Sequence, residues 1–247
     1  MSQSTPPRGV LLVGSLPVPS NEDAFKLCLA LPGHLASIPD GEIGDRYNWI
    51  GWQQSIVEEI PAEDLALQLD LCFEVTSLEY ARGRLRDEFF KPYFSPIYDG
   101  LLSRIQRMVA HIPANVPLGI HPCYGDLNHA HFIEPDDMGM VVDFVNGIAK
   151  TTSHTIDWIH LAVPKSRDDP GYFAPLARLH VGTRAKLFLG LVHFDEEEGT
   201  RRRIHTAQTV VKDFGVATEY GFERTPAEQL SSLLQISRDV TVGVDDS

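Results

Sequence analysis

Apolar residues along this chain fall into short continuous runs separated by polar stretches of helical spacing. That pattern marks strands covered on both faces rather than the strict alternation of half-exposed strands. Gly9 to Leu16, reading GVLLVGSL, is the first run, and Asn21 to Leu31 follows as a helix, with Ser20 or Asn21 as N-cap and Pro32-Gly33 as its stop. Leu35 to Pro39 predicts a second strand, which opens into the loop DGEIGDRYNWIGW. Beyond a short helical fragment, LALQLDLCFE reads as a strand interrupted by Gln68, Asp70 and Glu74, and helices are expected over Leu78 to Phe89 and Tyr98 to His111. The run that starts at Val116 is the next strand, and Asp136 or Asp137 caps a helix to Ala149. Strands at Thr155 to Val163, Ala185 to Phe194 and Phe214 to Phe222 alternate with a helix over Thr200 to Val211 and a terminal helix opened by Thr225-Pro226.

About seven strands alternating with helices predict a parallel α/β sheet, and their even spacing favours a (β/α)8 TIM-type barrel over a doubly wound sheet. The whole chain, 1–247, is expected to be a single domain, since no linker or second composition regime divides it. Polar residues sit where the apolar runs end: Ser15, Glu42, Asp70, His121, Cys123, His160, His193, Asp195 and Glu219. Convergence on one rim is what a barrel active site requires. The stretch VPLGIHPCYGD, Val116 to Asp126, is the densest, and its strand is the organising strand of the site. Strand alternation puts His121 and Cys123 on one side, and imidazole with thiolate is a donor pair suited to zinc. Arg46 and Trp49 in the early loop, with Tyr124, Asp126, His129 and His131 after the organising strand, are candidate substrate contacts.

Charge narrows the partners. Acidic residues number 34 against 21 basic, a net charge of −13 that repels nucleic-acid backbones and anionic membrane surfaces. Three widely spaced cysteines, Cys28, Cys72 and Cys123, argue against a disulfide framework, and Cys28 and Cys72 lie in apolar runs as core residues. The opening segment has an apolar run too short for a signal peptide or a span, so a cytoplasmic protein is expected.

Taken in order, the motifs resemble the C-terminal catalytic barrel of cobalamin-independent methionine synthase, in the superfamily that also contains uroporphyrinogen decarboxylase. VGSLPVP (Val13 to Pro19) resembles that family's first-strand segment, DGE (Asp40 to Glu42) its HGE motif, LQLD (Leu67 to Asp70) its QxDEP strand and IHPCY (Ile120 to Tyr124) its HxCY zinc motif. The variants DGEIGDRxNWIGW and HxCYGDxxHxHF look like a separate subfamily of short proteins. The resemblance implies substrate contacts at Ser15, Glu42 and Asp70, and zinc at His121 and Cys123. The family's third ligand falls near Ala162, with His160 two positions earlier; its fourth, a Cys, is replaced by Tyr220; its acid-base His falls at Asp195, beside His193. No run between Trp52 and Ile56 supplies the family's third strand, so the barrel is expected to be incomplete, by internal deletion or by a segment missing from the chain. A true deletion would expose sheet edges and predict a homodimer that covers them.

Two chemistries follow, with a small molecule as partner in each. In the first, His121, His160, His193, Asp195 and Tyr220 carry protons on a small organic acid, while Glu42, Asp70 and Glu219 bind or orient it, as in an isomerase, lyase, cyclase or decarboxylase. In the second, His121, Cys123 and His160 hold a zinc ion that activates a substrate thiol for methyl or alkyl transfer. A barrel that only binds stands as the third reading.

Overall fold

The computed structural model describes residues 5–12, 16, 18, 20–29, 31, 64–125, 130–182, 184–222 and 225–243. Six strands are β1 (Val10–Leu11), β2 (Leu67–Asp70), β3 (Leu118–His121), β4 (Trp158–Ala162), β5 (Lys186–Val192) and β6 (Gly215–Thr218). The helices are α1 (Asn21–Cys28), α2 (Cys72–Ala81), α3 (Ile97–Val109), α4 (Gly139–Thr151), α5 (Pro170–Phe173), α6 (Glu197–Ala207) and α7 (Leu230–Asp239). Ser20 caps α1 as expected, its Oγ accepting from the Asp23 amide at 3.1 Å. LALQLDLCFE departs from expectation because it is two elements. β2 ends at Asp70, and α2 starts at Cys72 with Val75, Thr76, Leu78 and Glu79 on its buried face.

All strand pairs are parallel, in the order β1-β6-β5-β4-β3-β2. From β2 to β6 each strand lies beside its predecessor, so the sheet winds in one direction, as a barrel does and a doubly wound sheet does not. The near-complete barrel of about seven strands is nonetheless wrong. Closure needs two neighbours for every strand, and among the described residues β1 pairs only with β6 and β2 only with β3. The described residues form an open six-stranded half-barrel. The strand expected at Leu35 to Pro39, and the Trp52 to Ile56 junction, lie outside the described residues. No helix among the described residues is long and apolar enough to cross a membrane.

The apolar runs do what their composition dictates. All four residues of β3 are buried, and Leu118, Ile120, Ile159 and Leu161 pack with Ile105 of α3 and Val142, Phe144 and Val145 of α4 in one core. Gly119 is small because the Trp158 indole lies on it, and the indole nitrogen donates to Gln68 Oε1 at 2.9 Å. That bond accounts for a polar residue in β2.

Side-chain chemistry collects at the carboxyl ends of the strands, and a register shift in β5 shapes that end. Leu189 pairs with Val216 and Val192 with Thr218, three residues on β5 against two on β6. The extra residue bulges the strand around Gly190, the kind of irregularity that re-aims side chains. Ala162 of β4 pairs with Gly190, and the His160 ring crosses Gly190 to reach the Thr218 carbonyl on β6, with Nε2 3.0 Å from the oxygen. A Cβ at position 190 would stand 2.8 Å from Glu219 Cα, 3.0 Å from the Thr218 oxygen and 3.2 Å from His160 Nε2. Gly190→Ala is therefore expected to cost about 1–3 kcal/mol, the usual range for overpacking. Urea unfolding reads this directly, and an unchanged midpoint would mean that the three strands can part at no cost.

Candidate active site

A cleft of about 510 Å³ opens beyond the ends of β4, β5 and β6, lined among others by His131, Glu134, Lys165, His193, Glu219 and Tyr220. Each element delivers its side chain at a strand end or just past it. Thr218 closes β6 by donating its hydroxyl to the Tyr220 carbonyl at 2.6 Å, a tight turn carrying Glu219 between them. His193 follows β5 directly, and its Nε2–H donates to the Val163 carbonyl just beyond β4 at 3.0 Å. His131 lies after the organising strand, with Phe132 N bonded to the Tyr124 carbonyl at 2.9 Å.

Glu219 is the hub. Its Oε1 lies 3.1 Å from His131 Nε2, and its Oε2 lies 3.8 Å from His193 Nδ1. The other nitrogen of His131 meets Glu134 Oε1 at 2.8 Å. A carboxylate accepts and cannot donate, so two carboxylates on the two ring nitrogens select the doubly protonated imidazolium. Burial disfavours that charge, but the hydrogen bonds and charges of Glu219 and Glu134 outweigh it and raise His131 above the ordinary histidine value. His193 is the opposite case. Burial, reinforced by the nearby Arg203 charge, pushes it down to about 3, and its bond to Val163 leaves Nδ1 as the unprotonated, accepting nitrogen. The Tyr220 ring packs edge-on to His131 with centroids 5.4 Å apart.

Beneath the cleft, Arg203 of α6 is almost wholly buried and ties the frame together. It donates to the Leu191 carbonyl at 3.1 Å, the Lys165 carbonyl at 2.7 Å and Glu196 Oε2 at 2.9 Å, which joins β5 to the loop after β4. A second buried charge, Glu79 of α2, accepts from Arg84 at 3.0 Å, and Arg84 also donates to the Glu134 carbonyl at 2.9 Å and to Asp136 Oδ1 at 2.9 Å. The loop carrying Glu134 is thereby anchored to the helix after β2.

His121 and His160 form a separate, deeper pair. Their rings stack with centroids 4.2 Å apart and planes 10° apart, and His121 Nδ1–H donates to the His160 carbonyl at 3.1 Å. His160 is fully buried, and burial followed by the neighbouring His121 holds it neutral, well below the ordinary value. With Nε2–H committed to Thr218, its Nδ1 is a buried acceptor that no described residue satisfies. Asp70, two-thirds exposed, places Oδ1 3.9 Å from His121 Nε2.

The expected zinc donors do not fit a zinc ion as placed. His121 and His160 present stacked faces, and Cys123 turns its thiol to Cys72; that hydrogen bond, burial and the Asp70 charge hold the thiol well above its usual range. Among the described residues no group of three His, Cys, Asp or Glu is disposed to hold a metal ion. Of the other expected residues, Tyr124 is buried with its ring 6.5 Å from His131, and Asp195 is exposed, lining a separate acidic recess with Glu196, Ser232 and Gln235. Ser15, Glu42, Arg46, Trp49, Asp126 and His129 lie outside the described residues. The site also uses Glu134, Lys165 and Arg203, which the strand-end rule did not find; the His131-x-x-Glu134 spacing was the available signal for the first.

No protein family's sequence model matches this chain, and no curated protein matches it. Among solved structures the chain is similar to a protein of Listeria monocytogenes named for vitamin-B12-independent methionine synthase, at 19% identity and a TM-score of 0.46, over 80% of this chain and 54% of the other. It is also similar to a B12-independent methionine synthase from a Shewanella species, solved with selenomethionine, at 14% identity and a TM-score of 0.47, over 69% of this chain and 45% of the other. The chain thus spans about half the length of these two proteins.

The two site histidines make opposite demands on pH. His131 is raised in the fold, so its contribution to stability is complete below the ordinary value of 6.5 and lost as pH rises through the raised value. His193 is depressed, so its contribution is complete above 6.5 and lost as pH falls towards about 3. The site's share of stability is therefore expected to peak near 6.5. Thermal melts across pH should show a shallower alkaline fall in His131→Gln and a shallower acid fall in His193→Gln; parallel profiles in wild type and both variants would count against the assignment.

Proposed function

We propose that the cleft is the active site of an acid-base enzyme that moves a proton on a small organic acid. One observation carries this reading: a single carboxylate, Glu219, stands between an imidazolium, His131, and a neutral imidazole, His193. A proton donor and proton acceptors with well-separated affinities, side by side in one cleft, are what acid-base catalysis needs. Glu219 takes the proton from the carbon next to the substrate's carboxylate. As Glu219 is neutralised by that proton its hold on His131 Nε2–H weakens, and this N–H turns to donate to the oxygen on which negative charge develops, holding that charge as it forms. His193 binds too weakly to a proton to serve as a base near neutrality; its Nδ1 instead accepts a hydrogen bond from a substrate hydroxyl or amino group. Lys165, at the rim of the cleft, supplies a fixed positive charge for the substrate carboxylate. Isomerisation and elimination share this first step, with the presence of a leaving group on the substrate deciding between them.

The test follows proton exchange. A panel of 2-hydroxy, 2-oxo and 2-amino acids is incubated with the protein in deuterated water, and loss of the α-hydrogen signal is followed by NMR. Exchange is expected for at least one acid, falling about 100-fold or more in Glu219→Gln and in His131→Gln, the size of a lost acid or base. It should also decline as pH rises through the raised His131 value, because the donor is then deprotonated. Exchange that survives in Glu219→Gln, or a panel in which no acid either exchanges or perturbs the His131 signals, would overturn the reading.

A further inference from the structure

Outside the cleft, the ends of β2 and β3 bring two thiols together. The pairing runs Leu69 with Ile120 and Asp70 with His121, and the Leu71 amide continues it by donating to the His121 carbonyl at 2.9 Å. Two residues past the last pair on each strand stand Cys72 and Cys123, and their side chains share a hydrogen bond. Two thiols in hydrogen-bond contact are near the arrangement that a disulfide needs, in which Cα atoms stand roughly 4.4–6.8 Å apart. Their exposure differs in a useful way: Cys72 opens α2 and is half-buried, while Cys123 lies buried behind it. Cys28, the third cysteine, is buried in α1.

We propose that Cys72 and Cys123 are a redox-modification site, joined by a reversible disulfide when the protein meets a peroxide. This does not depend on the acid-base reading of the cleft. The Cys72 sulfur, the one within reach of solvent, attacks a peroxide oxygen; the O–O bond breaks, a sulfenic acid forms on Cys72 and one water leaves when the oxidant is hydrogen peroxide. The Cys123 sulfur then attacks the Cys72 sulfur. The S–S bond forms, the S–O bond breaks, and the hydroxyl departs as a second water with the Cys123 proton. Two thiols have together lost two electrons and two hydrogens, and the peroxide has taken them up. A dithiol reductant reverses the step through a mixed disulfide. The new bond would clip β2 to β3 at the strand that forms one border of the described sheet, directly past Asp70 and His121.

The experiment exposes the full chain to hydrogen peroxide under native conditions, alkylates the remaining thiols and maps an unreduced digest by mass spectrometry. A peptide pair linked through Cys72 and Cys123 is expected, lighter by the two lost hydrogens, with Cys28 alkylated throughout and the link removed by dithiothreitol. Cys123→Ser removes the resolving thiol, so a dimedone-trapped sulfenic acid on Cys72 should then accumulate several-fold over wild type. Oxidation of Cys72 to sulfinic or sulfonic acid in wild type without the linked pair would overturn the proposal, as would linkage to Cys28 or between two chains. Equal dimedone labelling of Cys72 in wild type and Cys123→Ser would do the same, and circular dichroism confirms that each variant is folded before it is compared.

Discussion

A single imidazole spans three strands of this half-barrel, and the cleft takes its shape from that bridge. His160 leaves β4, crosses β5 where Gly190 offers no side chain, and donates to the last carbonyl of β6. Only a neutral ring can lie there without an uncompensated buried charge, and burial keeps it neutral. The bulge in β5 makes room for the crossing and sets the turn after Thr218 that presents Glu219. Displacing His160 would therefore disturb the geometry of a carboxylate it does not touch.

One buried cation and one buried anion hold the rim from outside. Arg203 gives hydrogen bonds to two main-chain carbonyls on either side of His193, and Glu79 collects Arg84, which in turn grips the loop carrying Glu134. Such pairs are costly to bury and specific in geometry, so they act less as sources of net stability than as constraints on where the loops can lie. Glu219, His131 and His193 sit between these anchors, and the two histidines' affinities for protons diverge because one meets carboxylates while the other meets a carbonyl and a nearby guanidinium.

Much of this frame was legible in the residues. Continuous apolar runs such as Leu118 to His121 and Lys186 to Val192 gave parallel strands, and the rule that polar residues at their ends share a rim located His193 and Glu219. The openness of the described sheet was not legible, because which strands pair at its two borders is decided by curvature and register rather than by the composition of either strand. Periodicity also failed where an apolar strand runs into an apolar helix, as at Cys72, since both elements bury the same residue types. The zinc grouping joined strand alternation, for His121 and Cys123, to the family resemblance, for His160, and neither gives the rotation of a ring. His121 and His160 share a side and still stack face to face. Of the asymmetry between His131 and His193 only the His131-x-x-Glu134 spacing was there to be read, because the rest depends on Glu219, Val163 and Arg203, residues distant from the two histidines along the chain or unremarkable within it.

Arg203 grips the strand and loop around His193 by their main-chain oxygens, which every amino acid carries. These bonds do not depend on the side chain at Lys165, and the same scaffold can hold a wholly different lining at the loop after β4. A chain built this way can exchange the residues at 165 and 166, and so reline the cleft, while Glu219, His131 and His193 keep their spacing, so the lining and the carboxylate-histidine cluster can diverge independently among its descendants.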